Sequence, residues 1–493
     1  MSLAAATAVT ITLLHFSDYH SHAVPFYSED APDQGGLARA IALLKAGRAR
    51  SGTFVVSGGD MLNRGTPAWS DEHGCVEWAW LAGLVDAMAL GNHDLDYGAE
   101  AFERCRAAAS FPILSANLVR ADGSPYLTTA GKPYVVKEHA GVRVGFFALG
   151  GPDVQKLVRA EDLPTGTRWT DATATAREVV RALREDERVA AVVLIGHQTR
   201  AEDEALARAA PGIDVILGTH SHLRVPLDRI GGTQTYYVAP FQYLAYVAEV
   251  RLGFEGRPAA PPALMSIGGG LLKMDRWRAE DPAARAEVER LQRDLERRRP
   301  ERFQVLGNLE RALSDTGVTE GESELGNWAT DRLRAAAGAH AFFSTASSFR
   351  AALPPGPLTL EGFLTALPYE NEIVTGELSG ALVNAWLDLV ASRRGSDFFS
   401  QTGGVRYRLD GGRASDIEVL QDADDAAKGF APLRPTATYR VATTDYQAFV
   451  ALGYRELFAA AASVQRTGLD VQRVLMDSVR AGDTRGVRDG RVR

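Results

Sequence analysis

Cysteine is almost missing from this chain, with Cys75 and Cys105 the only two in 493 residues. That excludes a disulfide framework and a thiolate zinc cluster. Two inert buried thiols are the expected reading, and a single bridge is the alternative. Also absent is any run near the ~20 apolar residues of a membrane span, so a soluble chain is expected. The N-terminus, MSLAAATAVTITLL, has no basic region and no long apolar core, so it is not an intact signal peptide. The compartment stays open, periplasmic or secreted if such a signal has been trimmed. Basic charge is not in excess either: 54 Lys and Arg face 62 Asp and Glu, a net −8. Nothing global then favours a nucleic-acid polymer or an anionic membrane as partner. Internal repeats and low-complexity tracts are lacking. What remains is an ordinary globular composition, 45% hydrophobic, with length for two large domains or three smaller ones.

The first half alternates short apolar runs with helical patterns. The runs VTITLLHF (9–16), TFVVSG (53–58), VDAMAL (85–90), FPILSANL (111–118), VRVGFFALG (142–150), VAAVVLIG (189–196) and IDVILG (213–218) predict strands. Stretches such as GGLARAIALLKAGRAR carry helical spacing between them. Near-continuous apolar strands alternating with helices imply an α/β fold whose sheet is covered on both faces. Antiparallel pairs are expected where runs lie close together, as around 236–252. From 278 the charge-dense RAEDPAARAEVERLQRDLERRRPERF predicts a solvent-exposed helix joining two bodies. The expected layout is a first domain over 9–275, a connecting helix over 276–302, a second domain over 303–480 and a disordered tail over 481–493.

Five of the runs end in polar cargo. TLLHFSDYHSH delivers Asp18, His20 and His22, FVVSGGD delivers Asp60, and AMALGNHDLD delivers Asn92, His93 and Asp96. VVLIGHQ delivers His197, and VILGTHSH delivers His220 and His222. In α/β sheets the carboxyl ends of strands are where ligands bind. Imidazoles with carboxylates and an amide oxygen form a mixed N/O set suited to zinc, manganese or iron. The inventory is about twice what one metal needs, so two divalent ions sharing a carboxylate would use it well. Such a pair holds an oxyanion and lowers the pKa of bound water, which points to phosphate esters. A lone Asp or His at a strand end is more often a cap or turn residue, and His15, His73, His139 and His340 are read in that plain way. Agreement among five strand ends makes the plain reading improbable for the rest.

The series SDYHSH, GGD, GNHDLD, GHQ and GTHSH resembles the calcineurin-like metallophosphoesterases, and LSANL and PGIDVILGTHSH narrow it to the 5′-nucleotidase and UDP-sugar hydrolase family. ESELGNWATD, SSFRAALPPGPLTLEGFLTALPYENEIVTGELSG and FSQTGGVRY are similar to segments of that family's second domain. The resemblance implies a four-layer αββα sandwich, a connecting helix and an α+β substrate domain. It implies one metal on Asp18, His20, Asp60 and His222, and a second on Asp60, Asn92, His197 and His220. His93 would be the catalytic histidine, protonated and oriented by Asp96, and Asp94 a turn or supporting residue. Arg350 would bind phosphate, Phe399 and Tyr446 would sandwich a nucleobase, and Asn371 is counted with these substrate groups.

Two departures bear on substrate. Thr345, Ala346, Ser347, Ser348 and Phe349 stand where the family has a glycine-rich loop before its arginine. Leu452 stands where its ribose-binding aspartate is expected. The leading expectation is a two-metal hydrolase releasing phosphate from nucleoside monophosphates, with a small phosphorylated molecule as partner. UDP-sugars, cyclic nucleotides, sugar phosphates or a sulfur ester form the alternative, and a non-catalytic metal-binding scaffold the alternative of another class. In the family, closure about the connecting helix brings metals and specificity groups together. The oligomeric state and the native metals stay open.

Overall fold

The computed structural model describes residues 8–257 and 260–493. Residues 1–7 of the N-terminal segment lie outside them. Two compact units appear, one running to Phe26 and then over Asp33–Arg298, the other combining Tyr27–Pro32 with Arg299–Arg493.

The first unit is built on two six-stranded sheets, as the αββα sandwich implied by the resemblance requires. In one, Ala8–Phe16 lies parallel to Thr53–Ser57, which continues in parallel to Ala87–Ala89 and Ile113–Leu114. On its other side Ala8–Phe16 pairs antiparallel with Tyr246–Arg257, and that strand with Ala260–Lys273. In the second sheet Val142–Gly150, Ala191–His197, Val215–Gly218 and Tyr236–Pro240 run parallel. Tyr134–His139 and Arg224–Arg229 close its two edges antiparallel. Antiparallel pairing is present near 236–252, but Tyr236–Pro240 and Tyr246–Arg257 fall in different sheets, so they are not each other's partners.

Side-chain alternation explains the layering. Along Ala191–His197, Val193 and Ile195 enter a core shared with Leu13, Val56 and Ala89 of the other sheet, while Val192 and Leu194 face the helix residues Val179, Leu183 and Leu206. Inner strands such as Ala191–His197 are almost wholly apolar because both faces are covered, whereas the edge strand Arg224–Arg229 is largely exposed. Helix–sheet–sheet–helix layering follows.

The charged helix packs along the first unit up to the boundary and is not exposed on all sides. Pro282–Arg298 belongs to the first unit and buries Ala284, Val288, Leu291 and Leu295, a stripe spaced by four, three and four. Lys45 Nζ meets Asp281 at 2.6 Å, and the Leu291 carbonyl lies 3.1 Å from His73 Nε2. The unit boundary therefore falls at Arg298, at the end of the helix.

The second unit carries a mixed five-stranded sheet, in the order Ser400–Gly403, Ala341–Thr345, Thr438–Thr444, Glu372–Ser379 and Ala462–Asp470. Its core includes Phe343, Trp386, Phe399, Tyr407 and Tyr454. The tail is ordered, against expectation. Arg491 is buried, doubly paired with Asp331 and donating to the Thr402 carbonyl at 2.9 Å. The backbone of 491–493 also bonds Tyr407 and Leu409. Polar composition misled because the tail is held by side-chain and backbone bonds to distant residues, which no local apolar pattern announces.

Cys75 and Cys105 form a disulfide, which corrects the expectation of two free thiols. Thirty residues apart, they join the start of helix Val76–Leu81 to helix Gly98–Ala109. No helix among the described residues is long and apolar enough to cross a membrane.

Candidate metal centre

Three strands of one sheet and two of the other bring their carboxyl ends to one place. Asp18 and His20 follow Ala8–Phe16, Asp60 follows Thr53–Ser57, and Asn92 and His93 follow Ala87–Ala89. His197 ends Ala191–His197, and His220 and His222 follow Val215–Gly218. The turns interlock. His220 N–H donates to Asp18 Oδ1 at 3.0 Å, His197 Nδ1 meets the Gly58 carbonyl at 2.6 Å, and His15 Nε2 meets that of Gly218 at 3.2 Å.

Possible ligand atoms of Asp18, His20, Asp60 and His222 lie within 4.8 Å of one another, as do those of Asp60, His197 and His220. Asp60 is common to both groups. His197 Nε2 is 3.3 Å from Asp60 Oδ2, His222 Nε2 is 3.4 Å from Asp18 Oδ1, and His20 Nε2 is 3.0 Å from His222 Nε2. Atoms about 2 Å from one ion stand about 3–3.5 Å apart, so these spacings suit a bound cation.

The donor set fits a metal on two further observations. Asp60 Oδ2, Asn92 Oδ1 and His197 Nε2 are buried without a hydrogen-bond partner, a costly state that a cation relieves. Asp18, His20, Asp60, His220 and His222 all adopt φ between 47° and 61°. Left-handed backbone is uncommon for non-glycine residues and costs of order 1 kcal/mol each. Five such residues in three converging turns indicate that ligand geometry, not local preference, fixed them. Gly91 is needed here as well, since a Cβ there would stand 2.1 Å from Asp60 Oδ1.

Charge within the cluster is complementary. Burial alone would raise the Asp60 carboxyl, but the imidazoles of His197, His93 and His20 outweigh it and hold it well below the usual carboxylate range. Burial also opposes charge on His197, yet Asp60 and Asp18 lift it to about 9. His93 Nδ1 meets Asp96 Oδ2 at 2.9 Å, with its ring centroid 5.0 Å from that of His20. The four histidines read as bystanders stay outside these groups. Burial keeps His15 neutral by lowering it to about 4. His22 stacks on Tyr243 at 3.5 Å between centroids and is likewise no part of them.

A family model for calcineurin-like phosphoesterases matches residues 11–224, and one for the 5′-nucleotidase C-terminal domain matches 305–458. The chain belongs to the calcineurin-like phosphoesterases that carry a 5′-nucleotidase C-terminal domain. This phosphoesterase is 25% identical to the trifunctional nucleotide phosphoesterase YfkN of Bacillus subtilis over 88% of its length, and spans 31% of that protein. It is 25% identical to the 5′-nucleotidase of Vibrio cholerae, covering 91% of this chain and 86% of that one. The solved 5′-nucleotidase precursor of Thermus thermophilus superposes with a TM-score of 0.76 at 26% identity, covering 98% and 99% of the two chains. The chain is a metal-dependent phosphoric ester hydrolase of the two-cation type.

Two supporting carboxylates of the phosphoesterase lie outside the ligand groups: Asp94, expected as a turn or supporting residue, and Glu77, which went unread in the sequence. Asp94 accepts the amides of Met61, Gly91 and Asp60 at 2.8, 2.9 and 3.1 Å, which ties two ligand turns together. Its place within GNHDLD was the available signal. Glu77 accepts from Tyr19 Oη at 3.0 Å and from Trp69 Nε1, and burial raises it to about 7. Nothing local marks Glu77, because its partners come from distant segments.

In the second unit the substrate residues separate. Arg350 donates through Nε and Nη2 to the Tyr369 hydroxyl, Nε at 3.0 Å, a partner that the sequence did not suggest. Tyr446 is half-buried at the core margin, and Asn371 is half-buried beside Tyr369. Phe399 is the correction: it is fully buried in the core and presents no ring face to a ligand. Its neighbour Phe398 is half-buried, with the Arg393 guanidinium 5.7 Å from its ring centroid.

Proposed function

We propose that this phosphoesterase removes the phosphate of nucleoside 5′-monophosphates, with Asp18, His20, Asp60 and His222 holding one cation and Asp60, Asn92, His197 and His220 the other. The observation that carries this is the pair of ligand groups joined at Asp60, with the His93–Asp96 pair beside them. Bound there, two divalent cations supply charge to the phosphoryl oxygens and a water of lowered pKa.

The chain's own groups account for the remaining tasks. Asp96 fixes His93 through Nδ1, so Nε2 is the nitrogen that donates to a phosphoryl or leaving-group oxygen. The His93 amide donates to Asp60 Oδ1 at 2.8 Å, which couples the placement of the histidine to the shared ligand. In the second unit the guanidinium of Arg350 suits a phosphate, and Tyr446 with Phe398, in place of Phe399, suits a base. The nucleotide activities named for relatives support this choice of substrate.

Leu452 favours a second reading, in which the leaving group is not a ribose. A half-buried leucine offers no acceptor for two hydroxyls. The test is phosphate release from AMP, UDP-sugars, cyclic nucleotides, sugar phosphates and an aryl phosphate by manganese-loaded protein. A clear preference for AMP supports the nucleotidase. Equal rates on AMP and aryl phosphate would move the assignment to the second reading, and no turnover on any would sink both.

A further inference from the structure

Four histidines are assigned to the two cations, and each has its second ring nitrogen occupied. His20 rests Nδ1 on the Leu62 carbonyl at 3.2 Å, and His197 rests Nδ1 on that of Gly58 at 2.6 Å. His222 places Nδ1 on the Gln242 side-chain oxygen. All three acceptors are neutral, and all three rings turn Nε2 toward the cluster.

His220 differs in both respects. Its Nε2 lies 3.1 Å from Asp153 Oδ2, with only 9% and 17% of the two side chains exposed. One imidazole nitrogen cannot donate its proton to a carboxylate and its lone pair to a metal at once, so Nδ1 is left for the cation. Asp153 itself is placed by the same strand ends. Its amide donates to Glu202 Oε1 at 2.9 Å, the carboxylate that caps helix Arg200–Ala209, and the Gly151 amide two residues earlier donates to the His197 carbonyl at 3.0 Å.

We infer that Asp153 is a positioning residue for the second cation, fixing the tautomer of His220 and strengthening its donation through Nδ1. The inference rests on the two-cation reading and adds to it an anionic partner confined to one of the two sites. A carboxylate behind a ligating histidine typically sets metal affinity by 10–100-fold. The structure thus assigns the two cations unequal dependence on Asp153, although they share Asp60.

The experiment titrates metal-free full-length protein with Mn2+ by calorimetry and with Co2+ by visible absorption, for the parent, D153A and D153N. Two cations are expected in the parent. In D153A one should bind within about twofold of the parent while the other weakens by about 10–100-fold, with an altered Co2+ band for that equivalent only. D153N, which keeps an acceptor without the charge, should fall between, and the melting temperature of the metal-free protein should not move. D153N also keeps the test open if D153A fails to fold. Unchanged affinity for both cations, or equal weakening of both with a lowered metal-free melting temperature, would overturn the role of Asp153 alone. A parent that binds fewer than two cations would overturn the metal centre with it.

Discussion

The metal centre and the substrate groups of the second unit were both read from short motifs, yet they fared differently in three dimensions. Six of the seven assigned ligands, all but Asn92, contribute to the two ligand groups, and buried Asn92 Oδ1 has no hydrogen-bond partner. In the second unit, Arg350 is tied to an unforeseen tyrosine, and Phe399 is interior. The difference is chemical. Carboxylates and imidazoles at the ends of five buried strands together have few reasons to be there, whereas a phenylalanine satisfies a core and a base-stacking site equally well.

Replacing the shared ligand gives the strongest test of that contrast. Asp60→Ala should lose both cations and reduce turnover at least roughly 10³-fold, the scale for removing a principal transition-state stabiliser. Metal analysis together with phosphate release checks it, and chelating the parent should reproduce the loss until Mn2+ is restored. Retention of both cations by the variant would break the comparison at its firmer side.

His93→Asn comes next, with turnover expected to fall about 10²–10⁴-fold. Metal content should stay at the parent level, because His93 lies outside both ligand groups. Loss of metal in this variant would make His93 a ligand rather than a proton donor.

The aromatic residues sharpen the weaker side. Phe399→Ala should cost about 3–5 kcal/mol of stability as a core cavity, with KM for a nucleotide little changed in the folded fraction. Tyr446→Ala should raise that KM by about tenfold, the lower end of the stacking range, and leave the melting temperature nearly unmoved. Denaturation and steady-state kinetics on both variants decide it. A raised KM without destabilisation in Phe399→Ala would restore the original assignment.

The last effect touches neither ligand group and concerns Glu77, which burial holds at about 7 against an ordinary value near 4.5. Between those values the folded chain keeps a proton that the unfolded chain has lost. Stability therefore falls as pH rises through this window and levels off above it, by up to roughly 3 kcal/mol. Glu77→Gln should lack that slope, gaining stability over the parent at pH 8 more than at pH 5 in urea denaturation. Parallel curves for the two proteins would show that the carboxyl ionises freely.

Legibility followed the type of constraint. The apolar runs 142–150 and 189–196 became strands because length and burial on two faces leave little choice. The helix over 282–298 was misjudged because its charges outnumber its stripe of Ala284, Val288, Leu291 and Leu295, although burial follows the stripe. The ordered tail depends on Arg491 meeting Asp331, 160 residues away, and no local pattern contains that pairing. The disulfide was undecidable from two isolated cysteines, since spacing alone says nothing about Cα distance.

By itself the sequence determined the α/β alternation, the residues able to hold divalent cations and their position after strands, because side-chain chemistry and periodicity are local properties. Only the tertiary structure decided which strand joins which sheet, that Asp153 meets His220 and that Phe399 faces inward. Each of these depends on which distant segments meet, and that is fixed by the packing of each unit's core rather than by any one segment.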